Sequence, residues 1–486
     1  MSPPSSPTPM TVRRLAAEIG GRVLAASGDA AVVRGISHDS RLVETGALFC
    51  CVVGQHDDGH HYADEAVAAG ATAVLVERDL ELEVPQIVVP CVREAMGPAS
   101  AAVWNYPWRR CTLVGVTGTA GKTTVSHAIG AIASSCGVTC EVVGTLDGSH
   151  TTPEAPVLYR RIHGAANDGA DMVIVEVSSH ALELGRVDGA RFSASVFTNL
   201  SHEHLDYHGS MEDYFAAKAR LFDGRTDTAV INVADPWGRT LAGLATGTTG
   251  SVAEWQPSDI TDVAVSERGL RGVWRGRPVH CGLLGRFNVA NVAAAAAAAS
   301  AVGLDDDAVA PAISAIVPIP GRLWPVSGPD DDICVLIDFA HKPDALGAAL
   351  GSARELGESN GRLWTVFGAG GDRDASKRAP MGASADLHAD VMVLTSDNPR
   401  SEEPSQIAEA IAAGAESRRP GDGRLHIELD RASAISVAIQ NADAGDVVVI
   451  AGKGHEKAQL IGDRSLPFDD AEVAAEHLRR RRSSQR

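Results

Sequence analysis

The sequence predicts an α/β protein of three domains. These are a small N-terminal α/β unit, a central mostly parallel sheet of the P-loop ATPase type, and a C-terminal Rossmann-like doubly wound unit. Three observations predict it. Short apolar runs alternate with amphipathic segments along most of the chain, the pattern of βαβ units. One run, Cys111 to Val116, leads into the Gly-rich loop Gly118-Thr119-Ala120-Gly121-Lys122-Thr123-Thr124. The 486 residues are more than one core holds, and the pattern resets at Trp104-Asn105-Tyr106-Pro107-Trp108 and after Pro318-Ile319-Pro320-Gly321. The expected limits are 11–107, 108–321 and 322–486. Residues 1–10 are Pro/Ser-rich with neither a basic start nor an apolar core, so a disordered tail is expected there and not a signal peptide.

Composition narrows the function class. An apolar content of 44% with 22% charged residues fits a soluble globular chain. With 43 basic against 62 acidic residues the net charge is −19, which argues against a nucleic-acid or anionic-membrane surface. No apolar run approaches the roughly 20 residues of a membrane span. The eight cysteines contain no C-x-x-C pair, so they read as reduced, buried small hydrophobes in a cytoplasmic protein.

In the first domain, Ala63 to Ala69 reads as a helix leading into the strand Ala71 to Val76, and His38-Asp39-Ser40-Arg41 as a polar loop. In the second, the apolar run ending at Val116 is a strand, the glycines open the backbone, and Val125 to Ala133 is a helix. A strand, a Gly-rich loop and a helix start aim several backbone N–H groups at one point, where a phosphate is favoured. Lys122 would reach the β/γ-phosphates and the Thr123 hydroxyl would sit on Mg²⁺. The strict eight-residue pattern places Gly at position 116, which is Val here. This is a site for a nucleoside triphosphate.

Asp171 to Glu176 is a second strand ending in a carboxylate, placed either to complete a Mg²⁺ shell or simply to face solvent. Ser195 to Leu200 is a third. From its end comes Ser201-His202-Glu203-His204-Leu205-Asp206-Tyr207-His208, whose spacing matches no zinc motif and reads as a polar active-site loop. Ser210 can cap a helix from Met211 to Phe222, on which Tyr214, Phe215, Lys218, Leu221 and Phe222 share a face. Lys218 thus lies in an apolar stripe. It either snorkels to water or is desolvated, with a depressed pKa that permits CO₂ uptake as a carbamate. Asp227 to Val233 is a further strand and residues 250–280 are β-hairpin material. Asn288 and Asn291 open an Ala-rich helix three residues apart, as caps or as a ligand pair.

The third domain has strands Cys334 to Asp338, Leu363 to Phe367, Val391 to Thr395 and Val447 to Ile450, with a helix from Ala345. Three of the strand ends carry Gly370-Gly371-Asp372-Arg373-Asp374, Ser396-Asp397-Asn398-Pro399-Arg400 and Ala451-Gly452-Lys453-Gly454-His455-Glu456. Ligands in open α/β sheets bind at carboxyl ends of strands, so these loops are expected to line one pocket. Two arginines for carboxylates and one Glu for an ammonium suit an amino acid. The run Arg479-Arg480-Arg481-Arg482 reads as a solvated tail.

Taken together, Gly118 to Thr124, Glu176-Val177-Ser178-Ser179-His180-Ala181-Leu182, His204-Leu205-Asp206-Tyr207-His208-Gly209, Asp397-Asn398-Pro399-Arg400 and Gly452-Lys453-Gly454-His455-Glu456 resemble the Mur ligase family across essentially the whole chain. The resemblance implies an ATP- and Mg²⁺-dependent amide ligase that adds meso-2,6-diaminopimelate to UDP-N-acetylmuramoyl-L-alanyl-D-glutamate through an acyl phosphate. L-lysine as the amino acid, or a low-activity paralogue, is the alternative. It implies that Gly118, Thr119, Ala120, Gly121, Lys122, Thr123 and Thr124 bind ATP, with Asn288 and Asn291 on the adenine side. Arg322 and Asp338 would reach ATP from the third domain. Lys122, Glu176, His204 and Lys218 would be catalytic. Thr123, Glu176, His204 and Lys218, the last as N6-carboxylysine, would serve metal. Ser40, Thr151, Thr152, Ser178 and Arg186 would hold the UDP-muramoyl dipeptide. Arg373, Asp397, Asn398, Pro399, Arg400, Gly452 and Glu456 would hold diaminopimelate, with Arg400 on its distal carboxylate. Two positions depart from the family pattern: Ala120, where a polar residue is usual, and Leu184, where some members carry Gln. The expected partners are these small molecules alone, with no nucleic acid and no membrane insertion, and the expected state is a monomer.

Overall fold

A computed structural model describes residues 9–24, 31–54, 57–148, 150–357, 360–417 and 423–485. Most of the expected N-terminal tail lies outside these residues. Its last residue does not behave as tail: Met10 is buried and pairs with Val33 in a two-stranded ladder. The described chain divides into two compact units, Met1–Asp259 with Asn291–Ala312, and Ile260–Ala290 with Ile313–Arg486. No helix among the described residues is long and apolar enough to cross a membrane.

Besides the ladder at Met10 and Val33, the first unit contains two larger sheets. The smaller runs in the order Arg22–Leu24, Gln86–Val88, Ala73–Val76, Ala47–Cys50, Gly35–Ser37, parallel except for its first strand. The larger runs Ser251–Trp255, Thr226–Asn232, Phe192–Phe197, Thr112–Thr117, Met172–Glu176, Cys140–Val143, and every pair in it is parallel. Thr112–Thr117 is flanked by strands reached in opposite directions along the sheet, so the loop after it opens at a topological switch point. Its residues Leu113, Val114 and Val116 are fully buried, as a parallel strand covered on both faces requires.

Several elements differ from expectation. The helix after the Gly-rich loop spans Lys122–Ser135, starting three residues early because Gly121, at φ +89°, ends the loop directly before Lys122. The third strand ends at Phe197, so Thr198 to Leu200 form loop. The segment expected as hairpin material splits. Ser251–Trp255 completes the parallel sheet, while Ile260–Ser266, Gly269–Trp274 and Arg277–Cys281 form a separate antiparallel sheet in the second unit.

The second unit is built on a sheet ordered Trp324–Pro325, Cys334–Asp338, Val447–Ala451, Leu363–Phe367, Val391–Leu394, Leu425–Ile427, antiparallel only at Trp324–Pro325. Val447–Ala451 is thus inserted between the two strands that precede it in sequence by about a hundred residues. The arginine run near the C-terminus is not a solvated tail. It lies on the helix Asp470–Gln485, where Arg481 is buried, pairs with both oxygens of Asp332 and donates to the Ile439 carbonyl at 2.8 Å.

Candidate functional site

The first unit gathers its polar residues at the carboxyl end of Thr112–Thr117. Gly118 has φ +146° and passes so close to the next loop that a Cβ there would lie 1.9 Å from Thr198 Oγ1. A Cβ on Gly121 would lie 2.5 Å from Asn291 Oδ1. Both glycines are required by close approach as well as by backbone sign. Ala120, one of the two departures, contributes through its backbone: its N–H donates to Asn199 Oδ1 at 2.9 Å, and its carbonyl accepts from Thr198 Oγ1 at 2.7 Å. Thr119 donates its N–H to the Asn199 carbonyl, and its hydroxyl lies 3.1 Å from Tyr214 Oη. Asn199, which motif reading passed over, therefore braces the loop.

Lys122 Nζ donates to the carbonyls of Gly118 at 2.8 Å and Thr119 at 3.0 Å. Thr123 Oγ1 donates to Glu176 Oε2 at 2.9 Å. Thr124 is buried in the first turn of the helix. Glu176 is buried and also accepts from Thr145 N–H and Thr145 Oγ1, at 2.9 and 3.0 Å. Thr123 and Glu176 form an all-oxygen pair at the helix start, the donor type that Mg²⁺ takes.

Lys218 resolves the choice between snorkelling and burial. It is 1% exposed, donates to the Gly118 carbonyl at 2.9 Å and lies 4.5 Å from the Tyr214 ring centroid. Burial, with Lys122 nearby as a second positive charge, holds its pKa well below the ordinary lysine value. His204, at φ +56°, also packs on Tyr214, with ring centroids 6.0 Å apart, and on His180 at 4.9 Å. His208 stacks on Tyr214 and shares a 3.0 Å hydrogen bond with Ser179 Oγ. Among the described residues no group of three His, Cys, Asp or Glu is arranged to hold a metal ion.

A second cluster in this unit surrounds Thr152. Its hydroxyl donates to the Glu176 carbonyl at 2.7 Å and accepts from Ser178 N–H, and its carbonyl accepts from Arg186 Nη1 at 2.8 Å. Thr151 Oγ1 lies 3.1 Å from Thr145 Oγ1, and Ser178 caps the helix Ser179–Glu183. Glu154 pairs with both Arg186 and Arg93, at 2.9 and 2.8 Å. Burial holds the His38 pKa low, with Glu154 pulling it up and Arg93 and Arg186 opposing. His38 therefore lies within electrostatic reach of Glu154, Arg93 and Arg186. Ser40 itself opens the 3-10 turn Ser40–Leu42. Arg93, Glu154 and His38 carry no local motif and were not legible as site residues.

In the second unit the three expected loops do converge. Arg400, at φ +52°, donates from Nη1 to the Gly371 carbonyl at 2.7 Å. Gly371 is tight against Pro399, since a Cβ would sit 1.9 Å from its carbonyl oxygen. Asn398 Nδ2 donates to Glu456 Oε2 at 3.0 Å. Asp397 is buried, which raises its pKa against the pull of Arg431 and Lys453, and a Cβ on Gly452 would touch its Oδ2 at 3.2 Å. Arg373 is exposed on the 370–374 loop. Lys453 lies at the centre of this group, fully buried, and was missed as a site residue. Behind it a buried bidentate pair, Arg431 with Asp470, also donates to the Ala451 carbonyl and so anchors the strand end.

Elsewhere in this unit, buried Asp338 accepts from the N–H groups of Leu323 and Ala340 at 2.7 and 2.8 Å. Burial raises its pKa, opposed by Arg322, whose guanidinium lies over the Phe339 ring at 4.8 Å. Asn288 Nδ2 donates to the Leu284 carbonyl at 2.6 Å, the contact of a helix-start side chain folded back on its own entry turn.

The chain matches three family models: "Mur ligase family, catalytic domain" over residues 32–107, "Mur ligase middle domain" over 116–299, and "Mur ligase, glutamate ligase domain" over 321–454. It is 42% identical to the UDP-N-acetylmuramoyl-L-alanyl-D-glutamate–2,6-diaminopimelate ligase of Gloeobacter violaceus, covering 93% of this chain and 95% of that protein. Among solved structures it is similar to a UDP-N-acetylmuramoyl-L-alanyl-D-glutamate–2,6-diaminopimelate ligase, at TM-score 0.68 and 33% identity over 98% of this chain and 99% of the other. A MurF ligase from Thermotoga maritima in complex with ADP shares the fold at TM-score 0.62 and 16% identity, over 93% and 99% of the two chains.

Proposed function

The chain belongs to the Mur ligase family, and from that premise we propose that it joins meso-2,6-diaminopimelate to the D-glutamyl carboxylate of UDP-N-acetylmuramoyl-L-alanyl-D-glutamate, in peptidoglycan precursor synthesis. The single observation that carries this reading is the 42% identity, over nearly all of both chains, with a ligase named for that reaction. The loop pair Asn398–Glu456 and Arg400–Gly371 supports it, because an acid for an ammonium and an arginine for a carboxylate stand at one sheet edge.

In the reaction a carboxylate oxygen of the dipeptide attacks the γ-phosphorus of ATP. The bond to ADP breaks and an acyl phosphate forms. The amine of diaminopimelate then attacks the acyl carbon, phosphate leaves with the bonding electron pair, and the nitrogen loses its proton. The loop Gly118 to Thr124 would hold the triphosphate, and Lys122 would neutralise charge on the transferring phosphoryl group. Thr123 and Glu176 would hold one Mg²⁺, and His204 with carbamylated Lys218 would join Glu176 at a second. The metal supplies charge neutralisation at the phosphates. Asn288, Asn291, Arg322 and Asp338 are assigned to ATP. Ser40, Thr151, Thr152, Ser178 and Arg186 are assigned to the UDP-muramoyl dipeptide. Arg373, Asp397, Asn398, Pro399, Arg400, Gly452 and Glu456 are assigned to diaminopimelate. The corresponding domain limits are 11–107, 108–321 and 322–486. We place the protein in the cytoplasm, in keeping with its eight free cysteines, and assign it as a monomer.

Phosphate release by the purified chain tests this directly. It should require ATP, the UDP-muramoyl dipeptide and diaminopimelate together. Release with L-lysine at an equal rate would move the assignment to the lysine-adding reaction, and no release with any amino acid would refute the ligase reading.

A further inference from the structure

Among the described residues of the second unit, Lys453 is a fully buried lysine whose ammonium contacts residues assigned to the amino acid. Its Nζ donates to Asn398 Oδ1 and to Glu456 Oε2, both at 3.1 Å, and faces Asp397 Oδ1 at 3.9 Å. The backbone aims it there. Gly452 and Gly454 flank it at φ +110° and +57°, and Gly454 is pressed so closely on Phe339 that a Cβ would sit 2.7 Å from that side chain. A chain turning through two left-handed glycines has little freedom to swing the lysine outward.

Its partners settle the orientation of Asn398. Oδ1 accepts from Lys453 Nζ and from Leu460 N–H at 2.9 Å, so the amide nitrogen must point the other way. That nitrogen donates one hydrogen to Glu456 Oε2, and an amide nitrogen has a second hydrogen to offer an acceptor such as a ligand carboxylate. Two carboxylates, Asp397 and Glu456, face the one ammonium of Lys453, so acidic oxygens outnumber it where the ammonium of a zwitterion would sit.

We infer that Lys453 is a positioning residue for amino-acid recognition: with Leu460 N–H it fixes the Asn398 amide with its nitrogen toward the substrate carboxylate, and it holds the Glu456 carboxylate in place for the substrate ammonium. This rests on the diaminopimelate reading of the site. Without Lys453, Asn398 Oδ1 keeps only the Leu460 N–H as a donor, and Asp397 and Glu456 lose the ammonium between them.

The test is steady-state phosphate release by the full-length chain carrying Lys453→Met, with each substrate varied in turn and thermal unfolding measured alongside. The KM for diaminopimelate should rise about 30-fold or more, because truncating one member of a buried hydrogen-bonded charge pair has effects of that order. The KM values for ATP and for the UDP-muramoyl dipeptide should stay within about twofold, a split that a general loss of structure does not produce. Lys453→Gln, which keeps a donor and loses the charge, is run in parallel and should show the same split. An unchanged KM for diaminopimelate in either folded variant overturns the inference. So does a failure of both variants to fold, which would assign Lys453 to the core. Failure of the underlying reading is seen separately, as a wild-type chain that releases no phosphate with diaminopimelate.

Discussion

Lys122 and Lys218 meet on a single atom: both ammonium groups donate to the carbonyl oxygen of Gly118, at 2.8 and 2.9 Å. Two cations sharing one acceptor in a buried corner repel, and the more buried of them, Lys218, is the one driven toward the neutral amine.

A neutral, buried amine is the form that takes up CO₂. Wild-type protein equilibrated with ¹³C-bicarbonate should therefore show a carbamate carbon by NMR that Lys218→Ala lacks. The same variant should lose about a hundredfold or more in kcat, the scale seen when one preorganised charge is removed from an active site. Lys218→Arg should do no better. A carbamate signal that survives in Lys218→Ala would assign the modification elsewhere.

Glu176 accepts three hydrogen bonds, from the Thr123 hydroxyl and from both donors of Thr145. Glu176→Gln keeps the shape and removes the charge. The Mg²⁺ concentration giving half-maximal rate should rise about 10- to 100-fold, with little change in the thermal midpoint. A metal titration of phosphate release checks this, and an unaltered Mg²⁺ requirement would remove Glu176 from the metal site.

The Arg400 guanidinium engages the Gly371 carbonyl with one of its five donors. Arg400→Ala should lower kcat/KM for diaminopimelate by about a hundredfold or more and leave the slow rate with L-lysine nearly unchanged. A panel of amino acids on both proteins reads the preference. Full retention of it in the variant would show that another group selects the substrate.

Glu402 holds the amino-acid loops from behind. It accepts from both the buried Arg378 guanidinium and the Asp372 N–H, and the Arg378 hydrogen bond keeps its pKa below the ordinary glutamate value of 4.5. A carboxylate whose folded-state pKa is depressed adds stability above the unfolded value and loses it as pH falls through the folded one. Glu402→Gln should lower the thermal midpoint by roughly 2–4 °C at pH 7. The gap to wild type should shrink steadily as the pH is brought below 4.5, which calorimetry across a pH series measures. A gap that persists in acid would mean that the charge is not what matters.

The sequence made the parallel sheets legible because their strands are unbroken apolar runs, and the loop positions followed because such strands carry their ligands at one end. Lys218 could be flagged from its helical stripe, though only the fold shows that Tyr214 and Gly118 enclose it. Lys453 is different. Its neighbours Asp397 and Asn398 lie more than fifty residues away, and a lysine between two glycines carries no local mark of burial. Arg481 misled for the same reason, since its partner Asp332 is distant in sequence. Glu154 joins Arg93 and Arg186 across separate elements, a tertiary contact that no periodicity encodes.

The insertion of Val447–Ala451 between Cys334–Asp338 and Leu363–Phe367 bears on how the protein is made. A ribosome that has delivered the Gly118-to-Thr124 loop and all six strands around it has not yet supplied the middle of the last sheet. Until that strand emerges, its two future neighbours have no common partner, and the Gly452-to-Glu456 turn does not exist. On the proposed assignment, newly synthesised chains thus complete the triphosphate loop well before the turn given to the incoming amino acid. On that assignment, a chain lacking the last forty or so residues should take up nucleotide and fail to use it.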